Sequence, residues 1–525
     1  MRFPLRIPAF SLALGMVIPG ITGGQSAYVP LDDVAYAYVD ALIARGQLWQ
    51  LSALERPYTV RALTQALEAD GVRARRRTGV RRAGREQSHF SPAVRGLRER
   101  LRRAVSKYDH STRSRSLLRA EASASLWATG ETSGQRELML ADDVDPAVYA
   151  GGAARLLMAA GPVVGFSRTI LENRLNTDPD FRGRTDRRIA ARVEDAYVAG
   201  QWRYAELFLG RVGRNRGPAQ HQGLMLSGAP FTYDHVLGRL GTQRLNISTL
   251  LARLENQRRE DGNEVQRYLA THRLAGRWRG IEAAIAESFV YSGVARGFEP
   301  SLANPFTIYG LSWRNEGMEG NLLVSGELAA RTRLGLFSGE LLIDDIQIDR
   351  CDEICEEPSS YGLTLSAEGV PLMAGQRAFA SYTRVSSLTY RTPLPAERYS
   401  MFDVSLGRAF SDYDEWRVGA DVVLGWVPLR AYFASRRQGS GDYRALFPEP
   451  ADYATHPGIF EQPITHVRRV GLAGGAVAGD FDLRGDVGYN SVSAGGSMGF
   501  PTESGFEGRV RLSWNPRWAR IRFAP

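Results

Sequence analysis

The sequence predicts a mainly β protein: a 16–18-stranded antiparallel transmembrane β-barrel preceded by a small helical unit. Three observations carry this. The first is alternation. From Phe481 to Tyr489, Phe481, Leu483, Gly485, Val487 and Tyr489 are apolar or small, and Asp482, Arg484, Asp486 and Gly488 lie between them. Glu415–Leu424 and Phe506–Trp514 repeat the pattern, with Trp416, Phe506 or Trp514 near an end. Side chains of a strand point to opposite faces with period two, so one face is greasy and the other ionic. Lipid outside, a wet lumen inside and aromatics at the interfaces account for all three features. The second is extent. About 17 such runs follow Ser116, too many for one ordinary sandwich of ~100 residues, and no fixed repeat points to a propeller. The third is that no internal stretch of about 18 uncharged apolar residues follows the N-terminal leader, which argues against helical membrane spans.

In chain order, Arg2 and Arg6 precede an apolar run from Ile7 to Ile21 and small residues to Ala27, a secretory signal peptide over 1–27. A retained anchor helix is the alternative, disfavoured by Pro8 and Pro19. Residues 28–112 read as a periplasmic helical unit. Asp32 and Asp33 cap a helix to Arg45, a second fits Thr59–Ala69, and a third fits Ser91–Lys107 with Pro92 in its first turn. Arg73–Ser88 lacks apolar periodicity and reads as a linker. Residues 113–525 form the barrel, with strands expected near 118–129, 164–174, 189–199, 202–212, 243–255, 266–276, 280–291, 321–331, 334–344, 361–369, 376–385, 402–410, 415–424, 428–437, 466–477, 480–490 and 505–514. A single-chain bacterial barrel needs an even count. The stretches 213–241, 256–265, 346–360, 438–465 and 491–504 read as loops.

The chain has 525 residues and a net charge of +9. Residues 73–119 hold 16 basic and three acidic side chains, so the remainder of the chain carries −4. This block could meet a polyanion or an anionic membrane, or be a solvated helix and linker in an arginine-biased proteome. Phe90 and Tyr108 are its only aromatics, too few for a nucleic-acid stacking platform. Both cysteines sit in Cys351-Asp-Glu-Ile-Cys355, a local disulfide in an exported protein. The seven histidines have no metal-ligand spacing, and Gly471–Gly479 lacks a phosphate-binding lysine, so no cofactor or metal is expected.

Several segments resemble the Wzi family of capsule-assembly outer-membrane proteins: Leu207–Pro218 (LFLGRVGRNRGP) followed by Gly223–Pro230 (GLMLSGAP); His272-Arg273-Leu274 with Glu287–Gly293 and Pro305; Gly339–Asp345 (GELLIDD); and Tyr36, Leu42, Gly46 and Pro57 in the helical unit. The Arg-rich block, His221 and the C-terminal Arg522-Phe523-Ala524-Pro525 depart from that pattern. The resemblance implies an outer-membrane barrel of about 18 strands with a periplasmic helical bundle, acting as a lectin-like, non-catalytic holder of capsular polysaccharide. Outer-membrane lipid is the other partner, and a monomer is expected.

Arg211, Arg214, Asn215, Arg216, His221 and Gln222 crowd one loop. Guanidiniums grip the carboxylates of acidic sugars, and amides and imidazoles bond hydroxyls. The plainer reading is a lumen or plug loop paired with neighbouring strands. His272 and Arg273 complete the candidate glycan-binding set. His272 with Glu287, and Ser248 or Ser288, could be cast as hydrolytic groups, though nothing in the spacing selects either serine. Asp344 and Asp345 with Asp349, Asp352 and Glu353 could bind a cation or simply line a solvated loop. The rival from another class is a porin-like or substrate-selective channel lined by the same ionic face.

Overall fold

The computed structural model describes residues 26–78, 90–108, 118–140, 146–258, 262–345, 358–493, 501–516, 518 and 520–523. The leader through residue 25, the linker over 79–89 and both Cys351 and Cys355 lie outside the described residues.

Eighteen antiparallel strands close into one barrel. They are β1 (Leu118–Glu131), β2 (Ala147–Ala160), β3 (Val163–Glu172), β4 (Ala190–Gln201), β5 (Ala205–Arg211), β6 (Asp234–Gly241), β7 (Leu245–Arg253), β8 (Glu264–Trp278), β9 (Ile281–Val294), β10 (Asn321–Arg331), β11 (Leu336–Asp345), β12 (Ser360–Pro371), β13 (Arg377–Val385), β14 (Tyr413–Leu424), β15 (Val427–Gln438), β16 (Thr465–Ala478), β17 (Phe481–Ser493) and β18 (Gly505–Trp514). Arg520–Phe523 continues the line of β18. Each strand pairs with its sequence neighbour, and β1 closes the ring, facing β18 from Leu126↔Trp514 to Glu131↔Arg509 and then Ala120↔Phe523 to Ser123↔Arg520. Closure leaves no sheet edge unpaired.

The alternation maps onto the wall as the sequence requires. Leu156, Leu209, Ile285, Leu328, Val470, Leu472 and Leu512 face outward and are exposed. Aromatics mark both ends of this belt: Trp202, Tyr204, Trp278, Phe481 and Trp518 by the short turns, and Trp416, Tyr489 and Phe506 by the long loops. Among the described residues no helix is long and apolar enough to cross a membrane.

Three strand assignments differ from the sequence expectation. β2 (AVYAGGAARLLMAA) shows no clean alternation because its inner face, Arg155 apart, is largely small or apolar too. Its Gly151 leaves room for the Trp127 ring, which a Cβ there would meet at 2.5 Å, and Leu157 joins the internal core. β6, expected as loop, has Leu237 pointing into the same core. The run at 402–410 is no wall strand. Ser400–Met401 and Val404–Ser405 form a small hairpin whose turn residues, Phe402 and Asp403, have φ of 50° and 61°.

Helices α1 (Ala35–Ile43), α2 (Val60–Thr78) and α3 (Pro92–Val105) lie at the short-turn end. Asp33 Oδ1 accepts the Ala35 N–H, and Ser91 Oγ caps α3 at Val94 N. α2 runs through Gly71 to Thr78, so residues 73–78 of the expected linker are helical, and Arg73 stacks on Trp49 at 4.2 Å. Ser26 Oγ accepts from Arg61 N and Ala27 O from Val60 N, so the folded unit already includes the two residues before 28. The unit and the barrel share one hydrophobic core. Tyr28, Tyr38, Leu42, Leu63, Leu97 and Leu101 cluster with inward-facing Leu157, Phe166, Tyr197, Phe208, Leu237 and Leu336. Burying each such side chain contributes about 2 kcal/mol, so the helices act as a stopper and not as a tethered second domain.

Candidate functional site

The lumen is where the charged faces converge; Met139 and Leu140 of the β1–β2 loop pack into it, and three further chain segments do most of the filling. The first follows α1. Gln50 O accepts from Arg277 of β8, Leu51 O from Arg331 of β10, and Ala53 N donates to Glu282 of β9. The second is the loop 212–233, which folds inward from the long-loop end. The two meet inside the barrel as a two-stranded ladder, Glu55↔Arg216 and Arg56↔Asn215, extended by Gly217 N to Leu54 O (3.1 Å) and Ala219 N to Ala53 O (2.9 Å). The third is the loop 386–412. Tyr390 and Tyr399 donate their hydroxyls to Leu224 O (2.6 Å) and Met225 O (2.9 Å), and Leu406 O accepts from Ser227 N. Backbone removed from water needs such partners.

Glu340 of β11 fastens the loop 212–233 to the wall. Its carboxylate accepts Leu224 N (2.9 Å) and Met225 N (3.1 Å), with all three residues buried. Gly217 has φ of +99° and passes so close to Glu340 that a Cβ would sit 2.1 Å from Oε2; glycine alone fits.

The eight residues singled out from sequence fall into this construction. Arg211 forms an ion pair with Asp234 at the strand end and is partly exposed. Arg214 is buried, donates to His235 Nε2 (2.8 Å) and stacks on Phe208 at 4.5 Å. Asn215 bridges His221 O and Gly223 N. Arg216 is 1 % exposed and donates to Thr271 and Ser248. His221 contacts Glu368 at 3.2 Å. Gln222 is exposed. Arg273 makes a bidentate pair with Glu327 (2.9 and 2.7 Å). His272 pairs with Glu287 at 2.9 Å, its ring 4.1 Å from that of Tyr309. Arg214, Arg216 and Arg273 thus surround Glu55 rather than facing solvent. Burial pushes the Glu55 carboxyl up, but the guanidiniums of Arg239, Arg273, Arg216 and Arg214 outweigh it and hold the group down at about 2. In this conformation the three arginines build the plug.

Among the described residues neither candidate serine is hydrogen-bonded to His272. Ser248 accepts from Arg216, Ser288 bonds the Tyr399 hydroxyl, and the buried His272 Nδ1 has no partner. Asp344 accepts from Tyr390 N, while Asp349, Asp352 and Glu353 lie outside the described residues.

Sequence reading passed over a second arginine-rich loop, residues 173–189. Arg182, Arg184, Arg187 and Arg188 are all exposed there. Arg182 pairs with Asp403 (3.2 Å), and Arg444 reaches Asp180 (3.8 Å) and Asp442 (3.4 Å), so loops 173–189, 386–412 and 439–464 meet at the mouth. The signal was present as four arginines within seven residues; without the fold nothing distinguished it from the general arginine bias.

A closed barrel with an apolar belt, stoppered by its own helices and by two inward-folded loops, is a plugged transmembrane barrel. Among solved structures it is similar to Wzi of Escherichia coli, described as an outer-membrane protein involved in group 1 capsule assembly and a carbohydrate-binding β-barrel. The TM-score is 0.59 at 11 % identity, over 93 % of this chain and 99 % of that one. It also matches OprD of Pseudomonas aeruginosa (TM-score 0.43, 10 % identity, 77 % of this chain and 96 % of that one) and OccAB2 of Acinetobacter baumannii (0.43, 7 %, 77 % and 98 %). No sequence-family profile and no curated protein sequence matches.

Proposed function

We propose that this chain is a monomeric outer-membrane protein that binds and organises surface polysaccharide, of the capsular kind, without catalysis. The observation that carries this reading is the filled lumen: two inward loops and an N-terminal segment, cross-linked by backbone hydrogen bonds, occupy the space a porin keeps open. Such a barrel serves as an anchor, and the work falls to its outer face. Membrane barrels place long loops outside the cell and short turns in the periplasm, which puts the mouth formed by 173–189, 386–412 and 439–464 at the cell surface and the helices beneath. Arg182, Arg184, Arg187 and Arg188 offer guanidinium forks to acidic sugars there, and exposed Phe402 offers a face for a sugar ring to lie on. The structural likeness to a carbohydrate-binding barrel supports the same reading.

The test is glycan retention. Cells carrying the chain with Arg182, Arg184, Arg187 and Arg188 all changed to alanine should shed more polysaccharide into the medium than wild type, at equal barrel abundance in the outer membrane. Equal retention would remove the mouth as the contact surface. Equal retention in cells lacking the protein altogether would remove the function.

A further inference from the structure

The plug leaves one side of the lumen hollow. A cavity of about 360 Å³ lies between the helical unit, the inner faces of β1–β3, β17 and β18, and the loop residues Gly228, Pro230 and Phe231. That volume falls within the range of small-ligand sites. Its lining carries eight basic and six acidic side chains, and two further carboxylates, Asp195 and Glu131, pair with the lining bases Arg168, Arg174 and Arg509.

Most of those bases are already paired. Arg168 meets Asp195 (2.6 Å) and Asp32 (2.9 Å), Arg511 meets Glu172 (3.0 Å), Arg136 meets Asp178 (3.0 Å), and Lys107 meets Asp33 (2.7 Å) and Asp482 (2.8 Å). Two lining guanidiniums make no carboxylate contact among the described residues. Arg155 is 8 % exposed; it donates one N–H to Asn515 Oδ1 (3.0 Å) while its Nε is buried with no partner. Arg484 is open to the cavity and, among the described residues, donates to the Asp32 backbone oxygen (2.8 Å). A buried guanidinium N–H without an acceptor is destabilising, and an anion seated on this guanidinium offsets that. Around this pair stand hydroxyl and amide groups suited to sugar hydroxyls, Ser125, Ser513 and Asn515, and the Trp127 ring, already under Arg511 at 4.7 Å.

We propose that this cavity binds a single carboxylate-bearing sugar residue of the hexuronate class, with its carboxylate on Arg155 and Arg484 and its ring against Trp127. The proposal rests on the polysaccharide reading and refines it from acidic sugars in general to a single hexuronate held inside the lumen. The residue can be a free uronate or the end of a chain, since both present the same carboxylate and ring.

The experiment is calorimetric titration of the purified full chain in detergent with glucuronate, glucose, inorganic phosphate and a short oligogalacturonate. Saturable glucuronate binding, at least roughly tenfold tighter than glucose and phosphate, is expected; that factor is about 1.4 kcal/mol, within the worth of a charge-assisted hydrogen bond. Arg484→Gln, at an exposed side chain, should weaken it about tenfold with the unfolding midpoint unchanged, and Arg155→Gln with Arg484→Gln should abolish it. Trp127→Phe should remove the glucuronate-dependent part of the tryptophan fluorescence change. Oligomer competing with glucuronate marks a chain end as ligand; oligomer excluded while glucuronate binds marks a free uronate. No saturable binding, equal affinity for glucose or phosphate, or unchanged affinity in Arg484→Gln would overturn the proposal. If the cavity fails while mouth variants still shed polysaccharide, only this inference falls; if glycan retention never depended on the protein, the function falls with it.

Discussion

The two sides of the lumen begin with the same chemistry and end differently. On the β6–β12 side, charged inward-facing residues meet chain that has folded in to meet them. Glu340 takes two backbone N–H groups, Arg273 takes Glu327 in a bidentate grip, and Arg216 reaches two wall hydroxyls. On the β1–β3 and β17–β18 side the loop residues Gly228, Pro230 and Phe231 only border a hollow, and Arg155 and Arg484 face that cavity. A charged lumen face is therefore not itself evidence of a ligand. The distinction is whether the fold supplies the partner, and leaving it out is costly only where the group is also buried.

The comparison can be broken on the filled side first. Glu340→Ala should have the largest effect: two buried N–H groups lose their acceptor, at about 1–3 kcal/mol each. Guanidinium unfolding of the detergent-solubilised barrel should show a loss of about 3 kcal/mol, partly restored in Glu340→Gln, which keeps one carbonyl oxygen. An unchanged midpoint would mean that the loop is not held by this carboxylate.

The outer wall supplies the next test, because inside and outside must respond oppositely to charge. Leu472 faces out in the middle of β16. Leu472→Arg should destabilise the membrane-inserted barrel by about 2–4 kcal/mol. Tolerance of this charge in lipid vesicles would deny that the face meets hydrocarbon.

The smallest expected effect concerns the mouth. Asp412 is fully buried and accepts N–H groups from Gly441 (2.8 Å), Phe460 and Glu461 (3.0 Å), tying loop 386–412 to loop 439–464. Burial raises its carboxyl to about 6, helped by the charge of Glu461 and opposed by those N–H groups. A folded value above the unfolded 3.8 means that the protonated latch is favoured. Its contribution is fully present below about 3.8 and fades as pH rises through about 6. Limited proteolysis of these loops should therefore be slower at pH 5 than at pH 7.5, and Asp412→Asn should flatten the difference.

How much of this was legible beforehand follows the same division. The lipid-facing side chains of β14, β17 and β18 sit in register with partners such as Tyr489↔Phe506, and their alternation was readable because lipid is uniform and demands the same thing of every strand. The lumen is not uniform. Where the helices pack inside, Leu157 and Leu237 face inward and interrupt the polar half of the pattern, leaving only Arg155 on β2 and His235 and Arg239 on β6, which hides both strands. The crowded loop at Arg211–Gln222 stands out in the sequence, yet its residue types suit a sugar and a plug equally well. Only the pairing of Arg216 with Glu55, 161 positions earlier, shows that Arg214 and Arg216 face chain and not solvent. Arg155 and Arg484 each stand in an ordinary strand; what sets them apart is that among the described residues no carboxylate forms an ion pair with either, a property of space and not of sequence.

The central claim is that the barrel is closed by its own chain. Reconstitution of the purified wild-type protein into planar bilayers tests this directly. The filled lumen predicts no steady open-pore current under an applied voltage, and Glu340→Ala, with the loop released, should show intermittent conductance. A steady ohmic current from the wild type would contradict the account and favour a transport channel.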